Sequence, residues 1–332
     1  MSIKKNVFAF LYWYPFRIFI QKIPVRLAYF LAKALGVTLY YVMVKKRFSL
    51  EEAFCNISGN GIDKKKIRQV VRRAFVNFCQ GEAEVMLFSK LNEKNIKSFV
   101  DCPSFENLDK GLSLGRGVIL LFAHFGANQM IMPAIGYNGY KMSQLSAPAT
   151  VWVEKLPNRQ FGRMEKLGLK KRWEQELSLP VKHINIFGSM KEVFLSLRRN
   201  EIVGIAIDGG GGRSRVVVDF LGRKVFFSTG AIEIAIRTDC VVLPTFMVRN
   251  YGGKSMMIIE SPLEIDTGIQ TQDAIEKYIF AFTKRLEEYV YRYPCHYLNF
   301  LALRTFMEKQ GDVPFFIKED NSESITGQTA VS

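Results

Sequence analysis

Six consecutive apolar residues, Val118 to Ala123, lie between Gly117 and His124 in the run GVILLFAHFGANQ. A short stretch with no polar position suits a strand buried on both faces, and such a strand needs a sheet covered by helices on either side. Gly126 permits a sharp turn, and the residues after it read as the opening of a helix. The pattern predicts strand, histidine, turn and helix. That order puts one imidazole in the crevice at the carboxyl end of a strand, where open α/β sheets take up ligands. The first amides of the helix would face the same crevice and favour negative charge there.

Strand and helix patterns alternate from Cys102 onward. Further strands are expected at Lys141 to Ala147, Val181 to Phe187 and Glu201 to Asp208. Short ones are expected at Val216 to Phe220 and Val225 to Phe227, and TyrGlyGly at 251–253 marks a hairpin. Ser189 suits the cap of a helix carrying Val193, Phe194 and Leu197. Thr229 and Gly230 open another helix, and 270–292 reads as a long one. The fold class is α/β: a central, mostly parallel or mixed sheet flanked by helices, with an N-terminal helical segment suited to a membrane. Three regions follow: a basic, apolar membrane-association segment at 1–47, an α/β domain at 48–312 and a polar tail at 313–332.

The N-terminal segment is unusual in charge. Residues 1–50 hold nine basic residues, from Lys4 to Arg47, and no acidic one. The run from Leu27 to Val44 carries one charge, Lys33, and sits near the lower end of spanning length, roughly 17–25 residues. Tyr12, Trp13 and Tyr14 suit headgroup depth. The segment reads either as a helix pair lying in the membrane interface or as a single span, with a buried core pair as the plain alternative. Lys45, Lys46 and Arg47 favour the cytoplasmic side of a membrane. Residues 51–100 read as helices, with Asp63 suited to an N-cap.

The net charge of +15 favours an anionic partner, whether lipid, an acidic carrier protein or nucleic acid. Nucleic acid ranks last, because no recognition motif is present and the charge lies beside apolar runs. Five scattered cysteines without a CxxC pair suit a reducing compartment. Three histidines without close pairing point away from a metal site, and His183 and His296 read as structural. His124 and Asp208 each close an apolar strand, so two strand ends can bring them into one crevice. The loop Asp208 to Arg215, DGGGGRSR, can cradle a phosphate with backbone amides, Arg213 and Arg215. It lacks the GK[ST] of a nucleotide-binding loop. Arg223 and Lys224 suit either a phosphorylated headgroup or a solvated turn.

AHFGANQ resembles the HxxxxD/E motif of the lysophospholipid acyltransferase superfamily, and above all the branch that makes lipid A by adding lauroyl or myristoyl chains, whose motif reads H-F-G-N-W-E. Other segments agree in order and spacing. EEAFCNI and RRAFVNFCQGEAE resemble that branch's N-terminal helices, with Asn56 and Glu82 in familiar places. Asp208, Phe220, Gly222, Thr229, Gly230 and Pro244 match its central segment, and RYPCHYLNFLALR falls where it ends in P-E-Q-W-F-W. The likeness runs over roughly residues 5 to 305. Two departures stand out: Gln129 replaces the acid, and Cys295, His296 and Tyr297 replace Glu-Gln-Trp after Pro294.

The resemblance implies a membrane-associated O-acyltransferase. His124 would take a proton from a lipid-linked hydroxyl, and the freed oxygen would attack an acyl thioester. The donor would be acyl-carrier protein or coenzyme A, used as co-substrate, with no bound cofactor and no metal; the acceptor would be a glycolipid or a lysophospholipid among membrane lipids. Gln129 can orient the ring but cannot offset its charge, and Asp208 is the other acidic candidate. Gly126, Asn128, Arg213, Arg223, Thr229 and Gly230 are the expected substrate contacts. The competing expectation is a catalytically impaired lipid-binding relative using the same crevice.

Overall fold

The computed structural model describes residues 3–59, 62–155, 160–209, 214–266, 272–311 and 313–317, side chains at 152 and 155 excepted. Arg213, most of the Gly209–Gly212 run, the first residues of the expected 270–292 helix and the tail from Lys318 lie outside them.

The chain opens with helices α1 (Ile3–Leu11), α2 (Arg17–Lys22) and α3 (Val25–Val42), α1 and α2 being joined by a wide turn at Tyr12–Phe16 that contains Pro15. Helix α4 (Val44–Ser58) follows at once and runs unbroken across position 47, and α5 (Lys64–Leu87) begins after an Asp63 side chain that accepts from the Lys65 amide at 3.0 Å. Then come β1 (Val100–Asp101), α6 (Glu106–Ser113), β2 (Val118–Phe122), α7 (Ile131–Gly136), β3 (Met142–Ser146), α8 (Trp152–Lys155) and α9 (Arg163–Glu176). The next elements are β4 (Lys182–Asn185), α10 (Lys191–Arg198), β5 (Ile202–Ala206), β6 (Arg215–Phe220), β7 (Arg223–Ser228) and α11 (Gly230–Thr238). The chain continues through β8 (Val241–Arg249), β9 (Ser255–Ile259), α12 (Gln272–Arg292) and α13 (Leu298–Glu308).

Seven strands form one sheet in the order β1-β9-β8-β2-β5-β3-β4. Every neighbouring pair is parallel except β8–β9, the expected hairpin. The strands β6 and β7 make a separate antiparallel ribbon. All five residues of β2 are buried. Its side chains alternate between two cores: Ile119 and Leu121 face one, with α11 and α12, and Val118, Leu120 and Phe122 face the other. Strands β5 and β8 split in the same way, Val203 and Val242 to the first core, Ile202 and Leu243 to the second. The continuous apolar run therefore means two covered faces, as its composition requires.

Candidate active site

His124 follows the end of β2, and Asp208 follows the end of the neighbouring strand β5, in register because Phe122 pairs with Ala206. The backbone amide of His124 donates to both Asp208 oxygens, at 3.1 Å and 2.9 Å. The ring Nδ1 lies 2.7 Å from Asp208 Oδ1, and the Tyr297 hydroxyl donates to Oδ2 at 2.9 Å. Three donors thus converge on one carboxylate. An ionised carboxylate is acceptor-only, so the ring proton sits on Nδ1 and the Nε2 lone pair is left for another partner. The imidazole stacks on Phe300 with ring centres 5.0 Å apart and planes within 6°.

Exposure is divided in the way a proton-transfer site needs. The Asp208 side chain is wholly buried, while 40% of the His124 side chain is accessible. Burial works against the charged ring, but the Asp208 charge and hydrogen bond outweigh it, so the imidazole titrates above its usual range.

Gly126 is what lets His124 stand there. Its φ is +63°, and a Cβ would fall 1.8 Å from the Met247 carbonyl oxygen. Its amide donates to the His296 carbonyl at 3.0 Å, which ties the turn to the segment before α13. Gly126 is thus a backbone hinge pressed against β8, with no room for a ligand at its α-carbon. Asn128 opens a single 3₁₀ turn, Asn128–Met130, so the expected helix starts as a tighter coil before α7.

Gln129 points elsewhere. Its Oε1 accepts from Arg172 at 3.3 Å, and the same guanidinium meets Glu82 at 2.9 Å and 3.1 Å. Glu176 lies 3.5 Å from Arg172 Nε, and the Tyr12 hydroxyl donates to Glu82 at 3.1 Å. Burial pushes the Glu176 carboxyl up while Arg172 pulls it back. The hydrogen bond expected from position 129 to the ring is made by Asp208 instead, because the turn after Gly126 carries residue 129 toward α5 and α9.

The remaining expected contacts divide. Thr229 is buried, its hydroxyl donates to Glu233 at 2.5 Å, and with Gly230 it starts α11. Both lie beside Ser228, whose amide bonds Ile207 next to Asp208. Arg223 sits at the other end of β7, its guanidinium 4.1 Å from the centre of the Phe316 ring. Five strand steps, roughly 16 Å, separate it from Ser228, and its guanidinium is held over Phe316 at the edge of the aromatic cluster of Phe315 and Phe300. Lys224 pairs with Asp219 at 2.9 Å.

Tyr297 and Phe300 are site residues that strand-and-helix patterning missed. Their only signal was the terminal stretch RYPCHYLNFLALR, where Tyr297 stands in place of a tryptophan. Cys295 and His296 beside them form no reactive pair. Burial lifts the thiol to about 11, and burial with the Arg249 and Arg73 charges drops His296 to about 3. A neutral thiol next to a neutral imidazole is a poor nucleophile. His296 is structural: its Nε2 accepts from the Arg249 amide at 2.9 Å. Among the described residues no cluster of three or more His, Cys, Asp or Glu side chains is arranged to hold a metal.

A half-exposed imidazole backed by a sealed carboxylate, at the carboxyl ends of two central parallel strands, is the arrangement of a general-base site on an α/β fold. The chain belongs to the bacterial lipid A biosynthesis acyltransferase family, whose model matches residues 2–304. That match spans every element from α1 into α13 and makes the protein an acyltransferase of lipid A biosynthesis. No curated protein matches the chain.

Proposed function

We propose that this protein transfers a fatty acyl group from an acyl thioester to a hydroxyl of a lipid A-like glycolipid, with His124 as general base. The supporting observation is the His124–Asp208 pair, 2.7 Å apart, one side chain accessible and the other sealed. The Nε2 lone pair accepts the hydroxyl proton as the oxygen attacks the thioester carbonyl. Asp208 holds the tautomer and offsets the imidazolium charge that forms, the work usually given to the acid five residues after the histidine. The tetrahedral intermediate then expels the thiolate, and the imidazolium returns its proton to that sulfur. Acyl-carrier protein is the donor the charge favours, since an acidic carrier suits a chain of net charge +15. The reaction takes place at the cytoplasmic face of the inner membrane, where the basic N-terminal segment meets anionic lipid.

Mass spectrometry of lipids from cells with and without the gene tests this. A glycolipid lighter by one acyl chain is expected in the deletion, restored by the wild type and not by His124→Ala. Identical lipid profiles from all three would overturn it, and restoration by His124→Ala would place the chemistry elsewhere or leave a lipid-binding role.

A further inference from the structure

Helix α3 is long and apolar enough to cross a membrane by length and composition. Its packing says otherwise. The buried residues Ala28, Tyr29, Ala32, Gly36 and Tyr40 form one stripe along it, and that stripe lies on α5. A Cβ on Gly36 would fall 2.6 Å from the Val76 α-carbon, so the two backbones touch. Seven residues earlier, about 10 Å along the axis, the Tyr29 hydroxyl donates to Glu84 at 2.5 Å. Glu84 is in turn gripped by both ends of the Arg249 guanidinium, at 2.6 Å and 2.7 Å, and Arg249 belongs to β8 of the central sheet. A spanning α3 would have to leave this ion pair or draw it into hydrocarbon together with α5. The polar residues Arg72, Arg73, Gln80, Glu82 and Glu84 of α5 rule out that environment.

The two helices before α3 are pinned on their inner sides as well. Asn6 accepts from the Met164 amide at 3.0 Å, Ile20 is buried, and Gln21 donates to the Met86 carbonyl at 2.6 Å. Their outer sides are apolar and open: Phe8, Leu11 and Phe19 are exposed, as are Phe30, Tyr41 and Val42 on α3. On α3, Phe30 and Tyr41 lie well over a third of a turn from the middle of the buried stripe, and Val42 closes the helix nearer the stripe's edge. Exposed Lys4, Lys5, Lys22, Arg26, Lys33 and Lys45 are interleaved with them. A groove of about 1230 Å³ opens beside Tyr41 and Phe48, with Arg47, Lys64, Lys65, Arg68 and Arg72 in its walls against Glu51 and Glu52. Apolar side chains interleaved with an excess of cations match the chemistry of an anionic bilayer surface.

We infer that residues 3–48 form a rigid platform that rests on an anionic bilayer, with α3 lying in the plane of the surface rather than crossing it. The groove beside Tyr41 receives lipid phosphates. The inference deepens the acyltransferase reading, on which it rests for the claim that the acceptor is a lipid of that surface.

The test is labelling of the full chain with a membrane-impermeant maleimide, in a Cys55→Ser background, with Lys5→Cys and Lys45→Cys introduced separately. Inside-out and right-side-out vesicles from expressing cells are compared, and each site is read by peptide mass mapping. Both introduced cysteines are expected to react in the same vesicle orientation. Reaction from opposite faces would overturn the inference. Purified protein is also expected to float at least tenfold better with vesicles of 30% phosphatidylglycerol in phosphatidylcholine than with phosphatidylcholine alone. Equal or absent flotation would overturn the anionic-surface part. Acyl transfer is measured on the same preparations: same-side labelling without any transfer would break the acyltransferase reading and leave the platform standing.

Discussion

Replacing Asp208 by Asn keeps the shape of the buried side chain and changes one acceptor into a donor. The geometry dictates which way the amide must face. The His124 backbone N–H is fixed and lies 2.9 Å from Oδ2, where the Tyr297 hydroxyl also donates. Asn must put its oxygen there, which places its NH₂ where Oδ1 was, 2.7 Å from the ring Nδ1. The amide then donates to Nδ1, and the ring proton moves to Nε2, the atom that must act as base. A forced wrong tautomer of this kind costs about 10⁴ in rate in serine-protease triads, or roughly 5 kcal/mol of transition-state stabilisation. The assay is acyl transfer from a soluble acyl thioester to a lipid acceptor, with kcat and KM determined across pH. In the wild type, activity needs the neutral ring, so it climbs as pH rises through a His124 pKa lying above the usual range. In Asp208→Asn the expectation is a kcat lower by about 10⁴, a KM within threefold and an acid limb displaced to lower pH, since the raising charge is gone. A kcat within tenfold of wild type, or an acid limb that stays in place, would refute the reasoning.

Gln129→Glu would set a further carboxylate beside Glu82 and Glu176 around the one guanidinium of Arg172; the expectation is no gain in kcat and a lower Tm at neutral pH, read by kinetics and thermal unfolding. Gly126→Ala combines a left-handed backbone with a Cβ inside the contact distance of the Met247 carbonyl, so it should lose at least about 3 kcal/mol of stability in denaturant titration. Glu84→Gln leaves Arg249 buried without its counter-charge and should cost about 3–5 kcal/mol; Glu84→Gln combined with Arg249→Met should recover part of that, as a double-mutant cycle would show. The protonated His124–Asp208 pair also links stability to pH. Its contribution is full below the unfolded histidine pKa and fades as pH rises through the higher folded one, so the stability gap between wild type and His124→Gln should narrow over that interval.

Much of this arrangement was legible in the chain because local pattern and burial coincide. Val118 to Ala123 has no polar position, and β2 is buried on both faces; the TyrGlyGly turn joins β8 to β9 as its residues require. Asp208 was within reach of sequence reasoning for the same reason as His124, since each ends an apolar strand and the two strands are neighbours. What stayed hidden depends on contacts between distant segments. Strand β1 has two residues, too few for any periodicity. Helix α9 is mostly charged, and its place is set by a close fit of Gly168 against the Trp13 ring. The run EEAFCNI reads as a short helix, yet α4 begins before it at Val44, because α4 packs beside α5 and α13. The direction of Gln129 follows from a backbone hinge whose need for glycine comes from Met247, more than a hundred residues away. Arg223 has the right charge for a headgroup, but only the fold reveals that it lies over Phe316. Counting five residues on from the histidine leads to Gln129, whose side chain meets Arg172, whereas the carboxylate beside the His124 ring comes from Asp208, 84 residues away.

The central claim is that Nε2 of His124 removes a proton from a lipid hydroxyl under the control of Asp208. Its most direct test is transfer of a radiolabelled acyl chain from acyl-carrier protein to a glycolipid extract by the purified full-length protein. The wild type is expected to label one lipid species, and His124→Ala, folded by thermal unfolding, is expected to label none. Equal labelling by the two proteins would contradict the claim.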